Sequence, residues 1–91
     1  MRIFALMKFT LVSRNKSISA ESSSEFVRWM RKSDVQNFRE NADFMEAYSI
    51  RKSTFENIEL RFDNEDNFVE DLVKNQLLTI EKERKWKLFS K

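Results

Sequence analysis

Glycine, proline, histidine and cysteine are all missing from this 91-residue chain. Average usage of roughly 7% Gly and 5% Pro would supply about six glycines and four or five prolines at this length. Phosphate-cradling loops need backbone positions that only a residue without Cβ occupies cheaply, so the lack of Gly excludes them. The lack of His and Cys excludes the ordinary zinc, haem and iron–sulfur sites, thiol chemistry and an imidazole base near neutral pH. No disulfide can staple the fold. Most enzyme mechanisms are thereby removed, and we expect a non-enzymatic protein with no cofactor.

What is present favours folding. Hydrophobic residues make up 41% of the chain and include nine Phe, two Trp and one Tyr. Disordered chains are poor in these groups. The length suits one small domain spanning residues 1–91. Seventeen basic and fifteen acidic residues leave a net charge of only +2, which makes no bulk electrostatic case for nucleic acid or membrane. The charges are nonetheless segregated. Both ends are basic, and residues 56–71 carry seven acids against the single Arg61. Lys8 interrupts the first apolar run after Ile3 to Met7, shorter than a secretory core requires. No run approaches the ~20 apolar residues of a membrane span. We therefore expect a cytoplasmic protein without a membrane partner, and the absence of Cys fits a reducing compartment.

Hydrophobic periodicity gives the fold class. Ile3, Ala5, Met7, Phe9 and Leu11 alternate as one face of a strand over residues 2–12. Its second face carries Phe4, Leu6 and Val12, apolar groups that call for cover by a partner or a second copy. The polar, Ser-rich residues 14–23 read as a flexible connection. Ser22 with Glu25 has the form of a capping box, followed by Phe26, Val27 and Met30 on a helical stripe edged by Trp29. Phe38, Ala42, Met45 and Tyr48 predict one or two helices reaching about Lys52, with Ser33-Asp34 as the stop and the next cap. Ile58, Leu60 and Phe62 alternate as a half-buried strand, and Asp63 reads as the N-cap of a helix carrying Phe68, Val69, Leu72, Val73 and Leu77. Leu78 and Ile80, then Trp86 and Leu88, read as one long strand or a hairpin. The expectation is a small single α+β domain of order β-α(α)-β-α-β(β), with helices packed on one face of a small sheet.

Two surfaces stand out. The first is acidic: Asp63, Glu65, Asp66, Glu70 and Asp71. An EF-hand loop starting at Asp63 fails where the template demands Gly and Glu, since those positions hold Phe68 and Lys74, so no metal site is expected. These acids read instead as helix-dipole complements and a face for a protein partner. The second surface interleaves Lys82, Arg84, Lys85 and Lys87 with Trp86 and Phe89. Cations beside aromatics suit phosphate contact with base stacking, and equally a basic edge strand that deters aggregation. The succession of helix, Leu-Leu-Thr-Ile, basic turn and Trp-Lys-Leu-Phe over residues 64–89 resembles the recognition helix and wing of winged-helix DNA-binding domains. That resemblance implies DNA binding, but the four acids Glu65, Asp66, Glu70 and Asp71 on the helix would repel phosphates. A further set, Arg28, Arg31, Lys32, Arg51 and Lys52, charges the first helices. By elimination the expected function is non-enzymatic binding of another protein, as an adaptor, inhibitor or small subunit. A small phage or mobile-element product acting on a host protein would have this composition. Homo-oligomerisation and nucleic-acid binding through the basic C-terminal segment are the alternatives.

Overall fold

The computed structural model describes residues 6–82. Strand β1 (Met7–Leu11) turns back through residues 12–15 into β2 (Lys16–Ala20). Three helices follow: α1 (Ser23–Ser33), α2 (Asn41–Glu56) and α3 (Glu65–Lys74). Strand β3 (Leu78–Lys82) then returns to the sheet. The sheet is antiparallel throughout, in the order β2-β1-β3. The expected small α+β domain, with helices on one face of a small antiparallel sheet, is what forms. One strand sits elsewhere than expected.

That strand is β2. Within the stretch that read as a flexible connection, Ile18 and Ala20 alternate with Lys16, Ser17 and Ser19, and they pair with β1 in register Phe9 to Ile18 and Met7 to Ala20. The hairpin is closed by Asn15 in the left-handed region at φ 53°. Asn tolerates that region better than most residues because its short amide bonds locally. A 2.8 Å hydrogen bond between Thr10 Oγ1 and Ser17 Oγ ties the two strands on their outer face.

The residues expected to form the second strand do something different. Residues 57–62 lie outside the sheet and outside any helix. The alternation is real, since Leu60 is buried and Ile58 packs against the core. The backbone, however, bonds to helices: Ile58 N–H reaches the Lys52 carbonyl at 3.1 Å, and Arg61 N–H reaches Asp71 Oδ2 at 2.8 Å. Satisfying the main chain this way leaves the segment without a strand partner.

Helix ends follow local chemistry. Ser22 caps α1 by accepting from Glu25 N–H, and the Glu25 carboxylate accepts from Glu21 N–H at 3.0 Å, a capping box shifted by one residue. Ser33 ends α1 as expected. Asp34 does not cap the next helix; its carboxylate accepts from Gln36 N–H and from Arg51. Residues 34–40 form a loop, and α2 is a single helix continuing past Lys52. The cap of α3 is Asn64, not Asp63: Asn64 Oδ1 accepts from Asn67 N–H at 2.8 Å, while Asp63 accepts from the Asn67 side chain. Asn57 at φ 57° terminates α2 and Gln76 at φ 63° follows α3, so amide side chains occupy the positions glycine normally takes.

One core joins sheet and helices. Phe9 and Leu11 of β1, Leu78 of β3, Phe26, Val27 and Met30 of α1, Phe44 and Met45 of α2, and Phe68, Val69 and Leu72 of α3 are all buried. Phe9 stacks on Phe26 with ring centroids 4.7 Å apart. Each such fully buried side chain contributes about 1.5–3 kcal/mol of transfer free energy. The opposite face of the sheet is polar, carrying Lys8, Thr10, Ser17, Thr79 and Glu81. Among the described residues, Met7–Leu11 does not show the expected apolar second face. Val12 lies exposed in the turn, Leu6 precedes the strand half-buried, and Phe4 lies outside the described residues.

Candidate functional site

The five acids do not form one free surface. Asp71 is buried and serves the fold: its Oδ2 accepts from Arg61 N–H at 2.8 Å and Nε at 3.0 Å, and its Oδ1 accepts from Nη2 at 2.9 Å. The Arg61 hydrogen bonds hold the Asp71 carboxyl below the usual carboxylate range, against the opposing effect of burial. Asp71 and Glu70 in turn raise the pKa of the guanidinium, whose Nη2 also donates to Glu70 at 2.9 Å. This clamp fastens Arg61 to α3, next to the buried Leu60. Glu65 accepts from the Asn41 side chain, and Asp63 is engaged by Asn67. Among the described residues only Asp66 of the five is exposed without a hydrogen bond or ion pair.

Lys82 ends β3, exposed. Arg84, Lys85, Trp86, Lys87 and Phe89 lie outside the described residues. The helical cations are dispersed rather than pooled. Arg31 donates to Asn41 Oδ1 and the Phe38 carbonyl, both at 2.9 Å, and so fixes the loop between α1 and α2. Arg28 and Lys32 flank Trp29 along a shallow groove against β2. Trp29 is half-buried against the core with its ring 5.9 Å from Phe26, a core-edge anchor as expected.

The C-terminal half of α2 concentrates what the remaining surface offers, because it lies between two open concavities. On one flank, Ser49, Ile50, Ser53 and Thr54 face Glu59, Leu60 and Phe62 across a groove of about 200 Å³. Ile50 is 56% exposed and Phe62 44%, an apolar rim on both banks. Ser49 is only 4% exposed, and its hydroxyl has no hydrogen-bond partner.

On the other flank, Ser13 and Arg14 of the hairpin turn face Tyr48, Arg51, Lys52, Phe55 and Glu56 across a cleft of about 240 Å³. Tyr48 forms its wall, anchored at 5.6 Å from Phe44 and 5.7 Å from Phe68. The Arg51 guanidinium and Lys52 ammonium sit 5.8 and 5.6 Å from the Tyr48 ring centre. Burial raises the Tyr48 pKa against the opposing pull of Lys52 and Arg14. Arg51 pairs with Asp34 at 3.1 Å, and Lys52 pairs with Glu56 at 2.8 Å. Burial pushes Asp34 upward, but the Gln36 N–H and Arg51 outweigh it, and the carboxyl lies below its ordinary value.

Comparison with protein-family models, curated proteins and solved structures found no match. The site is therefore read from its own chemistry. Among the described residues no acidic cluster is arranged to hold a metal, and no helix is long and apolar enough to cross a membrane. The two flanks of α2 offer apolar contact, one unsatisfied hydroxyl and a cationic aromatic wall. Charge runs in the sequence point to α3 and the C-terminal segment instead. In the sequence Arg51 and Lys52 read as helix surface charge; the residues opposite them, Arg14 and Ser13, come from a turn that periodicity does not reveal.

Proposed function

We propose that the chain is a non-enzymatic protein-binding module whose interaction surface is the C-terminal half of α2 with its two flanks. The observation that carries this reading is the apolar rim: Ile50 and Phe62 border one groove, and Phe55, 80% exposed, stands at the edge of the other. Exposed apolar side chains at grooves rimmed by polar groups are a means of holding a partner. Aromatic side chains supply large contact areas in such interfaces. The lack of His and Cys supports a role without catalysis. The absence of Cys also motivates a cytoplasmic setting as part of the same proposal.

The test is affinity capture with the tagged full chain from a lysate of its source, with and without nuclease, alongside the double variant Ile50→Glu/Phe62→Glu. Both side chains are too exposed to carry the fold, so the variant should keep its far-ultraviolet circular dichroism. A stoichiometric protein that survives nuclease and is lost with the double variant is the expected result. Partners that vanish on nuclease treatment would overturn the reading and shift attention to the cations of residues 82–91.

A further inference from the structure

The cleft on the hairpin side of α2 has a more specific chemistry than the apolar groove. We propose that it receives a single carboxylate side chain of the protein partner, seated among Arg14, Arg51 and Lys52, with a neighbouring apolar side chain of the partner resting on Phe55. This rests on the protein-binding reading and names the chemistry recognised.

Three observations point there together. Arg14 is exposed and has neither a hydrogen bond nor an ion pair among the described residues, so its donors are available in fork geometry for a carboxylate. The Tyr48 hydroxyl has no hydrogen-bond partner among the described residues, although its ring is fixed between Phe44 and Phe68. It is a rigid donor beside the cations. Phe55, lining the same cleft, gives a flat apolar platform within reach of that anion.

Charge and size decide between classes of ligand. Three cations of the cleft, Arg14, Arg51 and Lys52, face two acids: Asp34, which pairs with Arg51 and also feels Arg14, and Glu56, which pairs with Lys52; a single net positive charge remains. That balance suits a monoanion. A phosphomonoester brings about −1.5 to −2 charges at neutral pH. A nucleic-acid strand brings a charge at every step, more than one net positive charge balances. The volume of about 240 Å³ also lies below the ≈ 300–1,000 Å³ of small-molecule pockets, a size for one or two side chains.

The inference is tested by titrating the 15N-labelled full chain with acetyl-Leu-Glu-Phe-amide, acetyl-Leu-Gln-Phe-amide, inorganic phosphate and a thymidine oligonucleotide, observing backbone amides by NMR. The Glu peptide should perturb Arg14, Tyr48, Arg51 and Phe55. The Gln peptide should bind about fivefold more weakly, and Arg14→Gln should weaken the Glu peptide by a similar factor. Arg14 lies in an exposed turn, so the variant's spectrum should otherwise match the wild type. Equal binding of the two peptides, no perturbation by the Glu peptide at millimolar concentration, or stronger perturbation of the same residues by phosphate or the oligonucleotide would overturn the assignment. Capture of the native partner with Arg14→Gln separates the two levels. Undiminished capture refutes the carboxylate site while leaving protein binding intact. If the wild-type chain captures no protein, the broader reading fails and the site falls with it.

Discussion

Replacing Ser49 by Ala should stabilise the protein, although the residue is buried in the middle of a helix. Its hydroxyl makes no hydrogen bond and is sheltered from water. Burying an unpaired hydroxyl costs ≈ 1–3 kcal/mol by protein mutational data. Alanine also has the higher helix propensity, by up to about 0.5 kcal/mol. Against these gains stands the loss of one atom's packing, which is small because the site adjoins an open groove rather than a closed core. The expected net gain is about 1 kcal/mol. For a domain of this size that raises the Tm by roughly 4–8 °C. Urea denaturation followed by circular dichroism should show a higher midpoint with an unchanged m-value. A loss of stability with unchanged m would mean that the hydroxyl is hydrogen-bonded in the folded protein, refuting its description as an orphan. A variant that gains stability yet loses its captured partner would place that hydroxyl in the interface.

Other expectations follow from the clamp, the turns and the core. Asp71 and Asp34 both have lowered folded-state pKa values, so the unfolded chain binds more protons than the folded one in the acid range. Their contribution is fully present above the ordinary carboxylate value near 3.8 and is lost as pH falls below it. Asp71→Asn should lower the urea midpoint at pH 7 and flatten its decline below pH 4, and an unchanged acid limb would argue against the clamp. Gln76→Gly should stabilise by about 0.5–1 kcal/mol by relieving the left-handed backbone at φ 63°, whereas Asn57→Gly should change little; thermal melts compare the two. Phe26→Ala, fully buried and stacked on Phe9, should cost about 3–5 kcal/mol, a large share of the ≈ 5–14 kcal/mol expected for 91 residues, and circular dichroism at 25 °C should show partial unfolding.

Periodicity made the buried half of the fold legible. Phe26, Val27, Met30, Phe68, Val69 and Leu72 read as core stripes and are core. What periodicity does not encode is which backbone a segment bonds to. Ile58 and Leu60 alternate like a strand, but Asp71 and Lys52 supply the hydrogen bonds that a neighbouring strand would. Lys16 to Ala20 also alternates, with only Ile18 and Ala20 on its apolar side, and serine obscured it. The turn that opens this strand uses Asn15 where glycine is the usual signal. A chain without glycine hides its turns from a reader who searches for glycine. The acidic residues failed for a related reason: charge run and spacing show that carboxylates are present, but not that Arg61 reaches across to Asp71. The cleft of Arg14 and Phe55 was illegible because its walls are separated by some forty positions and meet only when the hairpin folds beside α2.

The sheet order has a consequence for synthesis. β1 is the central strand, yet its two partners emerge at very different times: β2 follows after a four-residue turn, β3 only after all three helices. About 70 residues separate Met7 from Leu78. At translation rates of roughly 5–20 residues per second, the second edge of β1 stays unpaired for about 4–14 s. During that interval the nascent chain carries a hairpin with both edges open, and Phe9 and Leu11 wait for Leu78 and the helices. An unprotected edge is where strands of neighbouring chains pair. Lys8, Thr10 and Ser17 on the hairpin's polar face, together with the shortness of both strands, limit that risk until the last strand covers the second edge of β1.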